Sequence, residues 1–194
     1  MFSDKPTLTG PRVVLCPFTA ADIEAMGPVL ADPDVLRLTG SVHTTAETLT
    51  AAARLDERTR RWYETRNEQT DRLDLALVDA VTGRCVGEAV LNDTDETNRS
   101  SGFRILIGPG GRDRGLGTEA TVLLMEHAFT TLGLERVELE VFAFNPRGRR
   151  VYEKAGFVVE GVRRGALLFD GERVDAVVMG LLRTDPRPRP DAPG

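Results

Sequence analysis

A glycine-rich segment between an apolar strand and a helix most constrains what this chain can fold into. The run Phe103–Ile107 has the composition of a strand, and the residues from Leu116 to Leu132 show helical periodicity. Gly115 and Gly117 stand at the turn between the two, where glycine lets the backbone come close to a ligand. The first N–H groups of a helix have no partner inside it and point outward. The segment therefore predicts a binding site for a phosphate or pyrophosphate group.

The composition excludes several classes of protein. A chain of 194 residues is most simply one domain with its own core. The net charge of −5 argues against a nucleic-acid partner, because such domains usually carry a basic excess. Cys16 and Cys85 are isolated from each other and from histidine, which argues against a metal site and indicates reduced thiols. No apolar run is long enough to cross a bilayer. We expect a cytoplasmic protein without a membrane, nucleic-acid or metal partner.

The apolar periodicity predicts a mixed α/β chain with about seven strands and four helices. Their order is one strand, two helices, three strands, then helix, strand, helix and two strands, which gives an antiparallel meander, a βαβ crossover and a closing hairpin. The predicted strands are Arg12–Cys16, Leu73–Val78, Cys85–Leu91, Phe103–Ile107, Val137–Val141, and a last pair covering Phe157–Arg164, Leu167–Phe169 and Arg173–Leu182. The predicted helices are Ala20–Leu30, Thr45–Arg66, Leu116–Leu132 and a short one from Asn145 to Gly156, with a polar loop at Asn92–Ser100. Residues 1–183 form the domain, and the proline-rich residues 184–194 form a disordered tail.

Two kinds of phosphate site compete for the glycine-rich turn. A nucleoside-triphosphate P-loop is excluded, because Leu116 and Gly117 follow Gly115 where lysine and a hydroxyl residue are needed. A dinucleotide fingerprint matches Gly115, Gly117 and Ala120 in spacing. Residues 108–114 separate these glycines from the strand end, however, and a meander precedes them in place of a βαβ unit. Both features argue against a nicotinamide dinucleotide binder, which stays as the alternative.

A second set of residues, further along the chain, carries a family resemblance. The set comprises Arg112, Gly115, Gly117, Thr118-Glu119-Ala120, Asn145, Tyr152 seven residues on, and Gly156-Phe157. In this pattern the chain resembles the GCN5-related N-acetyltransferase (GNAT) family over roughly residues 8 to 183. Within the family it is most similar to the branch of the ribosomal-protein N-terminal acetyltransferases, through Glu160-Gly161, Asp170-Gly171 and Asp175. It departs from that branch at Gly148-Arg149, where a small residue and an aliphatic one are common.

The resemblance implies a GNAT fold with a mostly antiparallel central sheet. It also implies an enzyme, an N-acetyltransferase that carries the acetyl group of acetyl-CoA to a primary amine by direct attack in a ternary complex. The acceptor is a protein N-terminal α-amine or a small-molecule amine such as a polyamine or an antibiotic, and a homodimer is favoured. An alternative of another class is an acyl-CoA-binding module without catalysis.

The family pattern also implies which residues bind acetyl-CoA. Backbone N–H groups of the turn hold the pyrophosphate, and the edge of the preceding strand binds the pantetheine arm as a further strand would. An N–H group of Leu106 or a neighbour stabilises the oxyanion of the tetrahedral intermediate. Some of the arginines near the turn pair with the 3′-phosphate of CoA, and a solvated position is the alternative for each of them: Arg112, Arg114, Arg147, Arg149 and Arg150. The expected cofactor-binding residues are Ile105, Leu106, Ile107, Arg112, Asp113, Arg114, Gly115, Leu116, Gly117, Thr118, Asn145, Arg150 and Tyr152.

The expected catalytic residues are Tyr152, Glu88 and Asn145. Tyr152 is the general acid for the CoA thiolate, because a phenol pKa near ~10 against ~8.5 for a thiol keeps its proton available. Asn145 contacts the pantetheine or acetyl group, or is only the N-cap of the helix that Pro146 opens. Glu88 is the first candidate for the general base, and Asp93 and His43 follow it. A solvent-facing position for Glu88 and a surface position for Tyr152 are the structural alternatives, and His127 is expected to be structural.

Overall fold

The computed structural model describes residues 1–190, and residues 191–194, the end of the tail predicted to be disordered, lie outside the described residues. The strands are β1 (Leu8–Thr9), β2 (Val13–Cys16), β3 (Leu73–Asp79), β4 (Cys85–Asp95), β5 (Ser100–Ile107), β6 (Arg136–Phe142), β7 (Val158–Phe169) and β8 (Glu172–Leu182). The α-helices are α1 (Ala20–Leu30), α2 (Pro33–Leu38), α3 (Thr45–Thr48), α4 (Glu57–Glu64), α5 (Leu116–Thr130) and α6 (Pro146–Lys154). Single 3₁₀ turns lie at Arg66–Glu68 and Pro109–Gly111.

The strands form one mixed sheet in the order β1-β2-β3-β4-β5-β6-β8-β7. Neighbouring strands are antiparallel except for β5 and β6, which are parallel and joined by α5. The predicted meander, crossover and closing hairpin are therefore confirmed. In the hairpin between β7 and β8, Asp170 and Gly171 both have positive φ, as its tight turn requires.

The two parallel strands separate soon after they begin. Their pairing covers only Ser100–Gly102 against Arg136–Glu138. From Phe103 onward β5 has β4 on one side and a cleft on the other. The glycine turn before α5 and one face of α6 border this cleft. The divergence of β5 and β6 thus leaves a strand edge available for binding at the centre of the sheet.

Apolar packing covers the sheet on both faces. Helix α5 packs on one face, where Met125 and Phe129 join the larger core cluster. On the other face a smaller cluster brings Met26 of α1, Val35 of α2 and Tyr63 of α4 against Leu106 of β5. The second cluster fixes the helices α1, α2 and α4 over the same face of β4 and β5.

Several predicted boundaries were wrong. The segment Thr45–Arg66 contains two helices, because Thr44 and Asp56 each accept a hydrogen bond from a backbone N–H and so each begin a helix of their own. The predicted loop Asn92–Ser100 is mostly strand, since β4 runs to Asp95 and β5 starts at Ser100. Backbone pairing continues there after the apolar pattern has ended. The sequence reading also missed β1 and the short helix α2.

Candidate active site

The glycine turn places the N-terminus of α5 at the cleft. Gly115 is the N-cap residue of α5 and has φ +77°, a left-handed conformation that favours glycine. Gly117 packs closely against the end of β5, because a Cβ atom added there would lie 3.0 Å from Cδ1 of Ile107. The backbone path into the helix therefore favours glycine at 115 through its conformation, and the close approach of Ile107 favours a small residue at 117.

A run of backbone donors is left without partners at this turn. The first hydrogen bond of α5 runs from the N–H of Glu119 to the carbonyl of Gly115. Within residues 1–190, the N–H groups of Asp113 through Thr118 donate to no other group of the protein. Consecutive free N–H groups at a helix N-terminus form a site for an anion. The geometry fits the pyrophosphate that the sequence predicted.

The arginines of the turn are directed to carboxylates. Arg112 forms ion pairs with Asp32 and Asp34 at the start of α2 and also donates to the carbonyl of Ile107. Arg112 therefore holds the turn against α2 through its ion pairs with these carboxylates.

A second arginine of the turn is also held by a carboxylate. Arg114 donates to Asp79 at 2.7 Å, and this contact lowers the pKa of Asp79 to about 2. The Arg114 side chain does not line the cleft. In the described part of the chain Arg150 forms no ion pair, and it does line the cleft.

The cleft has a volume of about 560 Å³ and includes most of the predicted cofactor-binding residues. Those that line it are Ile105, Leu106, Ile107, Arg112, Asp113, Gly115, Leu116, Gly117, Thr118, Asn145, Arg150 and Tyr152. Of the predicted set only Arg114 is outside, while Glu88 lies in a neighbouring cavity. The turn, the β5 edge and α6 thus converge on one space.

The direction of the β5 donors corrects one expectation. The N–H of Gly108 donates to the carbonyl of Val86, and the same register pairs Leu106 with Glu88. In an antiparallel pair the residues alternate in direction, so Leu106 points its N–H toward β4. The open edge is formed by the N–H groups of Ile105 and Ile107. Leu106 therefore does not present its N–H at the open edge, whereas its neighbours Ile105 and Ile107 do.

Tyr152 is buried at the bottom of the cleft. Its ring packs edge-on against Phe103 and Phe157, with centroids 6.1 Å away in each case. Burial raises the pKa of the phenol to about 12. Among residues 1–190 its hydroxyl has no hydrogen-bond partner, although the ring lines the cleft. A phenol that stays protonated at neutral pH and has no partner in the protein can donate to a bound ligand.

Asn145 is the N-cap of α6, which is one of the two interpretations that the sequence left open. Its side-chain oxygen accepts from the N–H of Gly148 at 2.8 Å, which caps α6. The residue also lines the cleft next to Tyr152. The cap occupies the oxygen of the amide and leaves its NH₂ group for a ligand.

A second cavity adjoins the cleft on the face covered by α1, α2 and α4. Its volume is about 240 Å³. Glu88 is buried in its wall, where Tyr63 donates to one carboxylate oxygen at 2.9 Å and Arg104 to the other at 3.0 Å. The residues common to both cavities are Val35, Thr39, Arg104 and Leu106. A ligand in the smaller cavity would therefore lie beside one in the cleft.

Burial dominates the titration of Glu88. It raises the pKa of this carboxyl above its ordinary value, while the Arg104 guanidinium and the Tyr63 hydroxyl act in the opposite direction. The prediction that Glu88 faces solvent was the alternative, and its burial contradicts that alternative. A carboxylate with a raised pKa is better suited to accept a proton from an amine.

The other candidate bases lie elsewhere. His43 is exposed, and its ring nitrogen lies 3.1 Å from the carbonyl of Leu168 in the hairpin of β7 and β8. Asp93 is exposed near the end of β4. Neither lines the cleft or the smaller cavity. His127 is half-buried in α5, away from both, and burial lowers its pKa.

Tyr63, Arg104 and the carboxylates that hold Arg112 were not found from the sequence. Arg104 precedes Leu106 by two residues on one strand, so alternation alone places both on the face that carries Glu88. That signal was available once β4 and β5 were paired. No comparable pattern links Tyr63 to Glu88, because they are distant in sequence and meet only through the packing of α4.

Residues 1–190 lack two kinds of feature. No helix there has the length and apolar composition needed to cross a membrane. No group of three or more histidine, cysteine, aspartate or glutamate side chains in that part of the chain could hold a metal ion.

The family assignment comes from a family model. The model of the acetyltransferase (GNAT) domain matches residues 12–158, which include the glycine turn, Glu88, Asn145 and Tyr152. This chain therefore belongs to the GNAT acetyltransferase family.

Two relatives show how far sequence similarity extends. The spermidine N(1)-acetyltransferase of Escherichia coli K12 is 29% identical over 113 residues, which are 58% of this chain and 61% of that protein. The L-amino acid N-acetyltransferase AaaT of the same strain is 30% identical over 109 residues, 55% of this chain and 67% of that protein. The match thus spans about three-fifths of the first relative's length.

The fold is shared with solved structures. The spermidine N-acetyltransferase of Vibrio cholerae, crystallised with CoA and spermine, superimposes with a TM-score of 0.75 and covers 89% of this chain and 96% of that one. At 19% identity this likeness concerns the fold alone.

Proposed function

We propose that this protein is an N-acetyltransferase that transfers the acetyl group of acetyl-CoA to a primary amine within a ternary complex. The observation that carries the proposal is the run of free N–H groups at the start of α5, in a cleft that Tyr152 also lines. Membership of the GNAT family supports it. The ribosomal-protein branch, the homodimer and the cytoplasmic location stay predictions.

The cleft binds acetyl-CoA through the backbone. The N–H groups from Asp113 to Thr118 hold the pyrophosphate, and Arg150 adds a positive charge near the phosphates. The open edge of β5 pairs with the pantetheine arm as a strand would, with the amide of Asn145 beside it. These contacts bring the thioester to the junction of the two cavities.

The chemistry then needs an oxyanion donor, a base and an acid. The amine attacks the thioester carbon from the smaller cavity, and Glu88 accepts a proton from the nitrogen. An N–H group of Ile105 or Ile107 stabilises the oxyanion of the tetrahedral intermediate. The carbon–sulfur bond breaks, and Tyr152 donates its proton to the departing thiolate. Solvent returns the proton from Glu88 to Tyr152 after the products leave.

The test measures binding and turnover separately. Acetyl-CoA binding is measured by calorimetry, with NADH as the control for the dinucleotide alternative. CoA thiol release is then followed with amino acids, peptides with free N-termini, polyamines and aminoglycosides, in the wild type and in Tyr152→Phe. Turnover with one acceptor class, slowed in the variant, supports the proposal. Binding without turnover on any acceptor supports the non-catalytic module, and absence of acetyl-CoA binding overturns the proposal.

A further inference from the structure

The smaller cavity carries equal and opposite charge. Of the side chains that line it within residues 1–190, only Glu88 and Arg104 are charged, and they contact each other at 3.0 Å. A polycation would need further carboxylates in the wall, because each ammonium that loses water requires a partner. The cavity therefore favours an acceptor that brings one amine together with one anionic group.

Arg104 has donors to spare for such a group. In the described residues its guanidinium donates once, from one Nη to Glu88, out of the five N–H groups that an arginine carries. Its side chain is 46% exposed and borders both cavities, whereas Glu88 is only 1% exposed. A carboxylate is the partner whose geometry matches the remaining donors, since it accepts two parallel bonds from a guanidinium.

The spacing of the two charged groups selects the kind of amine. Because Glu88 and Arg104 are in direct contact, the amine and the carboxylate of a ligand that meets both must also be close. One carbon atom separates these groups in an α-amino acid. In a longer ω-amino acid they lie further apart, and the carboxylate would pass beyond Arg104.

The rest of the cavity is mainly apolar. Leu30, Leu36 and Trp62 contribute to the wall opposite the sheet. Of the hydroxyl groups there, that of Thr39 already donates to the carbonyl of Val35, in its own helix. Such a wall accommodates an aliphatic or aromatic side chain of a small ligand.

We propose that the acceptor is a free α-amino acid with an apolar side chain, whose carboxylate binds Arg104 while its amine faces Glu88. This inference rests on the proposed function and adds the acceptor class and one specificity-determining residue. The nitrogen–carbon bond forms first and one amine proton goes to Glu88. The carbon–sulfur bond of the tetrahedral intermediate then breaks, and the Tyr152 proton goes to sulfur. The products are an N-acetyl amino acid and CoA.

The experiment compares three acceptors that differ at one position. Leucine, leucinamide and isopentylamine share the amine and the side chain, but only leucine has the carboxylate. We expect kcat/KM for leucine to exceed that for the other two by about 10- to 100-fold, the range of a hydrogen bond to a charged group. Leucinamide has a less basic amine than leucine, so a larger fraction of it is neutral and reactive. This difference alone would favour leucinamide, so a preference for leucine cannot come from amine basicity. A free N-terminal peptide and spermidine complete the panel.

Variants at Arg104 identify the residue responsible. In Arg104→Gln the ratio between leucine and leucinamide should fall close to one, mainly through KM for leucine, and Arg104→Lys should restore part of it. Arg61→Gln, an exposed arginine on α4 that lines neither cavity, is the matched control and should keep the wild-type ratio. Thermal melting shows whether each variant is folded. If a variant is unfolded, the comparison of the three acceptors with the wild-type enzyme still tests the proposal.

The other outcomes contradict the amino-acid acceptor, the role of Arg104 or the proposed function. Equal use of leucine and leucinamide, or turnover only with the peptide or spermidine, overturns the amino-acid acceptor and leaves the acetyltransferase in place. An equal loss on all acceptors in Arg104→Gln shows that Arg104 only positions Glu88. Acetyl-CoA binding without turnover on leucine also rejects the inference, and no acetyl-CoA binding rejects the proposed function itself.

Discussion

The cleft at the glycine turn and the smaller cavity around Glu88 meet along four shared residues, yet they are built from different groups. The cleft presents backbone N–H groups and a strand edge, and the arginines of its turn are mostly held by carboxylates. The cavity presents side chains: a buried carboxylate, a phenol and a half-exposed guanidinium. A backbone site depends on chain path and tolerates many side chains. A side-chain site changes its ligand when one residue changes.

The largest effect is expected from Glu88→Gln, which removes the base and keeps the size of the side chain. We predict a fall in kcat of about 10³-fold, within the range found for general acid–base catalysis, with KM for acetyl-CoA unchanged. In the wild type the rate should rise as pH increases through the raised pKa of Glu88, because only the carboxylate accepts a proton.

Steady-state kinetics over pH 5 to 9, with both substrates varied, provide the measurement. Glu138→Gln, an exposed glutamate of β6 outside both cavities, is the control. If Glu88→Gln keeps its full kcat, the base is another group or solvent, and the cavity would lose its chemical role.

Tyr152→Phe tests the one side chain through which the cleft would act chemically. We predict a fall in kcat of about 10²-fold, which is less than for Glu88→Gln. A thiolate is a fair leaving group even without a proton donor, whereas an amine must lose its proton to become a nucleophile. Since burial raises the phenol pKa to about 12, the acid form persists and Tyr152 should cause no decline in rate up to pH 9.

The measurement is kcat at saturating acetyl-CoA for wild type and variant. Retention of the acetyl-CoA dissociation constant shows that the backbone site is intact. An unchanged kcat would assign the proton donor to water and leave Tyr152 with a packing role against Phe103 and Phe157.

Alanine substitution of the two glycines that flank α5 distinguishes the effect of backbone strain on stability from its effect on acetyl-CoA binding. Gly115 at the start of α5 and Gly133 just after its end have φ of +77° and +70°. Alanine at either position should cost about 1–2 kcal/mol of stability, the cost of a left-handed conformation. Only Gly115→Ala should weaken acetyl-CoA binding, by about tenfold, because it alters the path of the free N–H groups.

Chemical denaturation gives the stability of the two variants, and calorimetry gives the dissociation constants. Gly133→Ala is the matched control, since its added Cβ would contact nothing within 4 Å. Equal weakening in both variants would mean that the cleft responds to the stability of α5 as a whole.

The sequence predicted more of the cleft than of the smaller cavity, because the cleft depends on local geometry and the cavity on contacts between distant residues. The glycine turn was predictable because Gly115 has the left-handed conformation that favours glycine, and the strand and helix around it have clear periodicity. Tyr152 and Asn145 followed from the same local pattern in α6. The open edge of β5 was expected only from the family resemblance.

The smaller cavity depends on contacts that no local pattern records. Tyr63 reaches Glu88 because α4 folds back over β4, and the sequence reading had merged α3 and α4 into one helix. Arg112 was predicted among the cofactor-binding residues, but its ion pairs with Asp32 and Asp34, which are far away in sequence, were not predicted. Charge alone could not predict those partners, because many carboxylates compete for each arginine.

The smallest predicted effect concerns stability and distinguishes a buried charge from a stabilising ion pair. The pKa of Glu88 is raised in the folded state above the value of about 4.3 in an unfolded chain. A group of this kind contributes stability below the unfolded pKa, and the contribution is lost as pH rises through the folded pKa. Glu88→Gln removes this dependence. Its Arg104 partner is half-exposed, so the lost ion pair counts for little.

The Tm of Glu88→Gln relative to wild type should therefore increase as the pH rises from about 4.3 through the raised pKa of Glu88. In a domain of this size, each kcal/mol of stability changes the Tm by about 2–4 °C. Thermal melts of both proteins at several pH values in that interval give the comparison. A Tm difference that becomes more negative toward pH 8 would mean that Arg104 and Tyr63 stabilise the carboxylate more than burial opposes it. In that case Arg104 and Tyr63 would stabilise Glu88 as an anion in the folded protein.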